Sequence, residues 1–84
     1  MGGVVETALA ERVREAILRV VPGAQIDTEM DYFDRVSVVV VSNDFDDMPQ
    51  EERQENLWEA LKAALGDEAL GVGIVLAYSW KELH

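Results

Sequence analysis

Cysteine is missing from this chain of 84 residues. Its absence excludes disulfides, thiolate metal sites, a cysteine nucleophile and a self-held iron–sulfur centre. Histidine is nearly missing as well. The one copy, His84, ends the chain, and a single terminal imidazole builds neither a zinc site nor a catalytic triad. Ser37, Ser42 and Ser79 therefore have no His–Asp pair to activate them. A glycine-rich phosphate loop is lacking, because Gly71-x-Gly73 opens a strand pattern and has no third glycine. Carboxylates are plentiful, but none adjoins an apolar run that would raise a pKa by burial. A chain of this composition is expected to be no enzyme and to bind no cofactor.

Basic residues are scarce. Seven stand against seventeen acids, for a formal net charge of −10. Binding to nucleic acid needs Lys and Arg clustered against phosphates. Here Arg12, Arg14, Arg19, Arg35, Arg53, Lys62 and Lys81 are scattered, so neither nucleic acid nor an anionic membrane surface is an expected partner. Long apolar runs are missing too, which excludes a membrane-spanning helix. The opening MGGVVETALAERV has neither a basic start nor a long apolar core, so no secretory leader is expected. Together with the lack of cysteine, this predicts a cytoplasmic location.

What is present is a clean alternation of periods. Val5, Leu9, Val13, Ala16, Ile17 and Val20 recur at spacings of three and four, which predicts a helix over Val4–Val21. Pro22-Gly23 stops it. Ala24 to Met30 alternates, with Ala24, Ile26, Thr28 and Met30 on one face and Gln25, Asp27 and Glu29 on the other, as a half-buried strand does. Asp31 to Asp34 reads as the hairpin loop, its Tyr32 and Phe33 expected to cover the end of the core. Arg35 to Ser42 is a second strand, apolar on both faces, as expected of a central strand or of one whose second face is covered by something else. Pro49 suits a helix start, and Leu57, Leu61, Ala64 and Leu65 predict a helix running to Leu65, with Gly66 as its stop. Asp67 to Leu70 is a short connection. Gly71 to Tyr78 reads as a third strand, with Val72, Ile74, Leu76 and Tyr78 on one face and Gly73, Val75 and Ala77 on the other. Ser79 to Leu83 is expected to be a terminal turn that lays Trp80 or Leu83 against the body.

These elements predict a single α+β domain over residues 1–84, with the order α-β-β-α-β. A hairpin followed by a crossover helix gives a three-stranded mixed sheet, and both helices must cover the same face. The expected core is Leu9, Val13, Ile17, Ile26, Val38, Leu57, Leu61, Leu65, Ile74 and Leu76. The other face of the sheet then has no cover from within the chain. On the period-two reading it carries Val39, Val41, Val75 and Ala77, an apolar cluster that predicts an interaction surface rimmed by Gln25, Asp27 and Glu29. Its occupant is expected to be another protein or a second copy, a symmetric dimer being the commonest solution.

The loop Asp44–Asp47 invites comparison with a calcium loop. Asp44, Asp46, Met48, Gln50, Glu52 and Glu55 fall on the ligand positions of an EF-hand count, but Met48 supplies no side-chain oxygen and Pro49 stands where the sharp turn needs glycine. No metal site is assigned. A looser divalent-ion or small-ligand module on Asp44, Asp46 and Asp47 stands as the alternative to a solvated, helix-capping loop.

The stretch Phe45-x-Asp47, five residues, Arg53-Gln54-Glu55, one residue, Leu57-Trp58-x-x-Leu61 resembles the motif of BolA-like proteins. That motif runs Phe-x-Gly, five residues, Arg-His-Arg, one residue, then Val, an aromatic and a Leu three later. Val72 to Leu83 is similar to the family's last strand and its Glu-containing terminal segment. The resemblance spans roughly residues 36–83 and implies a BolA-like fold, related to the type II KH domain, with Phe45, Asp47, Arg53 and Trp58 as the motif loop and helix. In the family it implies partnership with a monothiol glutaredoxin and a shared [2Fe–2S] cluster held by histidine. Here Gln54 and Gly73 stand at the histidine positions, Asp47 replaces the motif glycine and Glu55 its second Arg. An imidazole nitrogen has no substitute in glycine, so a protein-interaction domain without iron–sulfur ligation is expected. The KH-type Gly-x-x-Gly loop is also missing.

Overall fold

Residues 3–31 and 33–83 are described by a computed structural model. The elements are helix α1 (Gly3–Val20), strand β1 (Gln25–Met30), strand β2 (Val36–Val41), helix α2 (Gln50–Leu65) and strand β3 (Val72–Tyr78). Short 3₁₀ turns at Asn43–Phe45, Gly66–Gly71 and Trp80–Leu83 join or follow them. The sheet order is β1-β2-β3, with β1 antiparallel and β3 parallel to β2. This is the α+β, α-β-β-α-β architecture that the periodicities predict.

Local chemistry sets each boundary. In the last turn of α1, Val21 N–H donates to Ile17 O at 2.8 Å, and Pro22 cannot extend the helix. In the hairpin, Asp31 Oδ1 accepts from Phe33 N at 2.8 Å and from Arg35 N at 2.9 Å. That double Asx bond holds a tight loop in which Asp34 takes the left-handed region at φ 58°. Phe33 does not cover the core as expected; it is 80% exposed. Tyr32 and His84 lie outside the described residues. Before α2, Pro49 is extended at ψ 151° and its carbonyl accepts from Glu52 and Arg53. Gly66, at φ 57°, ends α2, and its N–H donates to Lys62 O, a conformation open to glycine at little steric cost.

One core fills the space between the helices and one sheet face. Val13, Ala16 and Ile17 of α1 meet Leu57, Leu61 and Leu65 of α2 over Ile26, Val38, Val40, Val75 and Ala77. Leu9 packs against this cluster at its edge. Two other expected core residues lie away from it altogether. Ile74 is 51% and Leu76 is 41% exposed, while Val75 and Ala77 are buried at 5% and 1%.

The reason is a register irregularity. Val36 pairs with Val72, but the next residue, Ser37, pairs with Ile74, so Gly73 is an extra residue on β3. A bulge of one residue moves every later side chain to the opposite face. Val72 therefore faces the helices, and beyond Gly73 the assignment inverts. A Cβ on Gly73 would lie 2.9 Å from Asp31 Oδ2 and 3.2 Å from Arg35 Cβ, so the crowded bulge favours a residue without a side chain.

Candidate functional site

Two features could carry function: the open face of the sheet, and the node built by the motif residues at its end. The open face starts from the parity of the strands. β2 sends Ser37, Val39 and Val41 to that side, and β3, after its bulge, sends Ile74, Leu76 and Tyr78. In register, Val39 lies between Asp27 and Leu76, and Val41 between Gln25 and Tyr78. Val41 is almost fully enclosed, at 4% exposure. Val39 and Tyr78 are half-buried. Along β1 the border is polar: Gln25, Asp27 and Glu29 are all exposed. An apolar strip of Val39, Ile74, Leu76 and Tyr78, acid-edged on one side, is thus uncovered by either helix.

Of the residues assigned to this surface from sequence, Val39 and Val41 have the expected parity, with Val41 contributing little area. Val75 and Ala77 belong instead to the core beneath α2. Ile74 and Leu76 take their place. The signal that reveals the exchange is Gly71-x-Gly73 itself, since glycine inside a strand pattern marks a bulge.

The motif residues form a different kind of structure. Phe45 is 1% and Arg53 4% exposed. The Arg53 guanidinium donates from Nε to Met48 O at 2.7 Å, from Nη2 to Phe45 O at 2.6 Å, and from Nη1 to Ala77 O at 3.1 Å. Nη1 also meets the Glu82 carboxylate at 2.7 Å. Its cationic carbon lies 5.5 Å from the centre of the Phe45 ring, within cation–π reach. One side chain thereby fastens the loop before α2, the end of β3 and the C-terminal turn. Glu82 Oε1 also accepts from Ser79 N at 2.7 Å. The Arg53 hydrogen bond, and after it the Ser79 N–H, holds the Glu82 carboxyl below the usual glutamate value. The turn is anchored by this carboxylate more than by its apolar residues, because Trp80 and Leu83 remain 38% and 48% exposed.

Gln54 donates to Val75 O at 2.9 Å. Gln50 donates to Ala77 O at 3.0 Å. The outer edge of β3 is thus covered by α2. Trp58, one turn beyond Gln54, is half-buried beside Glu55, Glu59 and Lys62 in a shallow groove on the outer side of α2.

The acidic loop does not converge on a point. Ser42 Oγ accepts from Asp44 N at 3.1 Å, capping the 3₁₀ turn. Asp46 Oδ2 is 3.8 Å from Lys81 Nζ, and its Oδ1 is buried without a hydrogen-bond partner among the described residues. Asp47 is exposed. Among the described residues no three His, Asp or Glu side chains are placed to hold a metal ion. No helix among them is long and apolar enough to cross a membrane.

No protein-family model matches this chain, and no curated protein matches it.

Proposed function

We propose that this chain is a small, non-catalytic, cytoplasmic protein-interaction domain of BolA-like shape that docks on another protein through the open face of its sheet. The observation that carries the reading is the continuous strip of Val39, Ile74, Leu76 and Tyr78, on the face that neither helix covers. Single exposed apolar residues need no explanation, but a contiguous set in neighbouring strands marks a contact surface. Arg53 is committed to three carbonyls and Glu82, and Ser42 to its own loop.

Charge selects the kind of partner. Two copies face to face would bring together chains of formal charge −10, each with Asp27 and Glu29 at the border of the contact. A partner with an apolar centre and a basic margin meets no such repulsion. Iron–sulfur ligation has no part in this reading, since Gln54 and Gly73 occupy the positions where the family places histidine and Gln54 is bonded to β3.

The test compares wild type with Val39→Lys/Leu76→Lys and with the distant control Glu11→Lys in affinity capture, followed by titration of the purified captured protein against the labelled domain. The reading expects capture lost only in the double variant, and amide shifts centred on Val39, Ile74 and Leu76. Shifts centred elsewhere, or unchanged binding by the double variant, refute it. Sedimentation of wild type as a dimer at about 100 µM, reversed by the same pair of lysines, would replace the heterologous partner with a second copy.

A further inference from the structure

We infer that the free edge of β1 is a strand-addition site for an extended segment of another protein, one that alternates basic and small apolar side chains. The inference concerns the edge of the sheet and not its open face, and it stands without the preceding reading.

The two edges of this sheet are unlike. Ser42 N–H donates to Tyr78 O at 3.0 Å, so Tyr78 and the residues of its parity bond inward to β2. Val75 and Ala77 point outward, and their carbonyls are taken by Gln54, Gln50 and Arg53. The outward carbonyls of the β3 edge are taken by α2. On β1, Asp31 N–H donates to Arg35 O at 2.8 Å, which makes Asp31–Arg35 a hydrogen-bonded pair. Alternation along an antiparallel ladder then turns Asp27 and Glu29 inward to β2, and Ile26, Thr28 and Met30 outward. Arg14 confirms that parity, because its Nη1 reaches Ile26 O from outside at 2.8 Å. Among the described residues nothing bonds the N–H and C=O groups of Thr28 and Met30. These groups are a template for one more strand.

The side chains choose what can use it. Asp27 and Glu29 stand exposed on the open-face side of β1. In an antiparallel pairing with a second copy centred on Thr28, Asp27 of each copy would oppose Glu29 of the other. Shifting the register by two residues opposes Asp27 to itself or Glu29 to itself. Every such register sets acid against acid, which destabilises cross-strand pairs. A strand with Lys or Arg at the alternate positions reverses the sign at both sites. Its intervening residues would lie beside Ile26, Thr28 and Met30, on the buried-to-half-buried side of β1, where β-branched apolar side chains fit.

The probe is a short blocked peptide of alternating lysine and valine, titrated into the labelled full chain. Expected are shift changes and slowed exchange at the amides of Thr28 and Met30, and an affinity that falls with salt. The same peptide with glutamate for lysine should bind at least about tenfold more weakly, the two cross-strand charge contacts having changed sign. Asp27→Lys/Glu29→Lys should invert that preference. Thr28→Pro removes an outward N–H from an edge strand, where proline is tolerated, and should abolish binding. A peptide N-methylated on the groups that face β1 tests the same bonds without altering the protein. The inference is overturned by no change at Thr28 and Met30 up to about 1 mM peptide, by equal binding of the N-methylated peptide, or by shifts confined to Val39, Ile74 and Leu76. The last result would leave the open-face reading intact, while loss of open-face binding in Leu76→Lys would leave this one intact.

Discussion

Arg53→Met removes the guanidinium and keeps an unbranched apolar stem of similar reach, so it isolates the polar function of the node. Three backbone carbonyls and one carboxylate lose a donor. Two of the carbonyls keep another: Phe45 O still accepts from Met48 N at 3.1 Å, and Ala77 O from Gln50 Nε2 at 3.0 Å. Met48 O, which takes Arg53 Nε at 2.7 Å, is left without a partner among the described residues, at a cost of about 1–3 kcal/mol. The charge-assisted bonds to Phe45 O and Glu82 are lost too, offset by release of a desolvated cation. The net expectation is a loss of about 3 kcal/mol. A domain of 84 residues is stable by about 4–13 kcal/mol, so this one side chain carries a large share. With an m-value near 1 kcal/mol/M for a chain this small, the urea midpoint should fall by about 2–3 M. Arg53→Lys should recover only part, because an ammonium cannot span Met48 O, Phe45 O and Glu82 as a planar fork does. Hydrogen exchange should speed up first in the loop 43–49 and the turn 80–83, the two segments the node fastens. A loss under about 1 kcal/mol, or full rescue by lysine, would refute the account of Arg53 as the fastening group.

The inverted face of β3 is checked by a pair of lysines: Val75→Lys should unfold the domain or cost at least about 3 kcal/mol, whereas Leu76→Lys should change stability by less than about 1 kcal/mol, both by urea melts. Leu61→Ala, at a site with 0% exposure, should cost about 2–5 kcal/mol in the same assay. The lowered Glu82 pKa gives a stabilisation that is complete above the ordinary glutamate value of 4.5 and is lost as pH falls through the lower folded value. Wild type should therefore lose stability more steeply than Glu82→Gln below about pH 4.5, and the two should run parallel above it.

Most of the architecture is legible in the sequence because it rests on periods. The recurrence of Leu9, Val13 and Ile17, and of Leu57, Leu61 and Leu65, predicts two helical stripes that the core contains, save Leu9 at its edge. The alternation from Ala24 to Met30 predicts a half-solvated strand. The failures occur where a period breaks. Val72 to Tyr78 can be written as one uninterrupted alternation, and on that reading Ile74 and Leu76 are core. One glycine with a crowded surround, Gly73, shifts the count by one and turns both outward. A strand of Val, Ile, Leu and Ala is apolar in either phase, so composition cannot reveal the phase. The Arg53 node is illegible for another reason. Its partners are carbonyls of residues 45, 48 and 77, and backbone acceptors have no sequence signature; only Glu82, the one charged partner, could be suspected, as part of the Glu-containing terminal segment.

The closed and open edges follow from the same geometry. Side-chain face and hydrogen-bond direction both alternate with period two along a strand. On β3 the residues that face the helices, Val75 and Ala77, are therefore the ones whose carbonyls point away from β2, toward α2. One helical turn of four residues advances about 6 Å, and two strand residues advance about 6.6 Å. Donors four apart on α2 can thus meet acceptors two apart on β3, and Gln50 and Gln54 do so at Ala77 and Val75. Helix α1 offers the same spacing to β1 but not the same chemistry. Arg14 caps Ile26 O, while the position one turn earlier, Ala10, which the same progression sets against Thr28, carries no side-chain donor. Thr28 O stays uncapped because an alanine stands where α2 has its second glutamine. Ala10→Gln is accordingly the substitution that would close the β1 edge from within. If its amide reaches Thr28 O, exchange along that edge should slow and any added strand should be outcompeted.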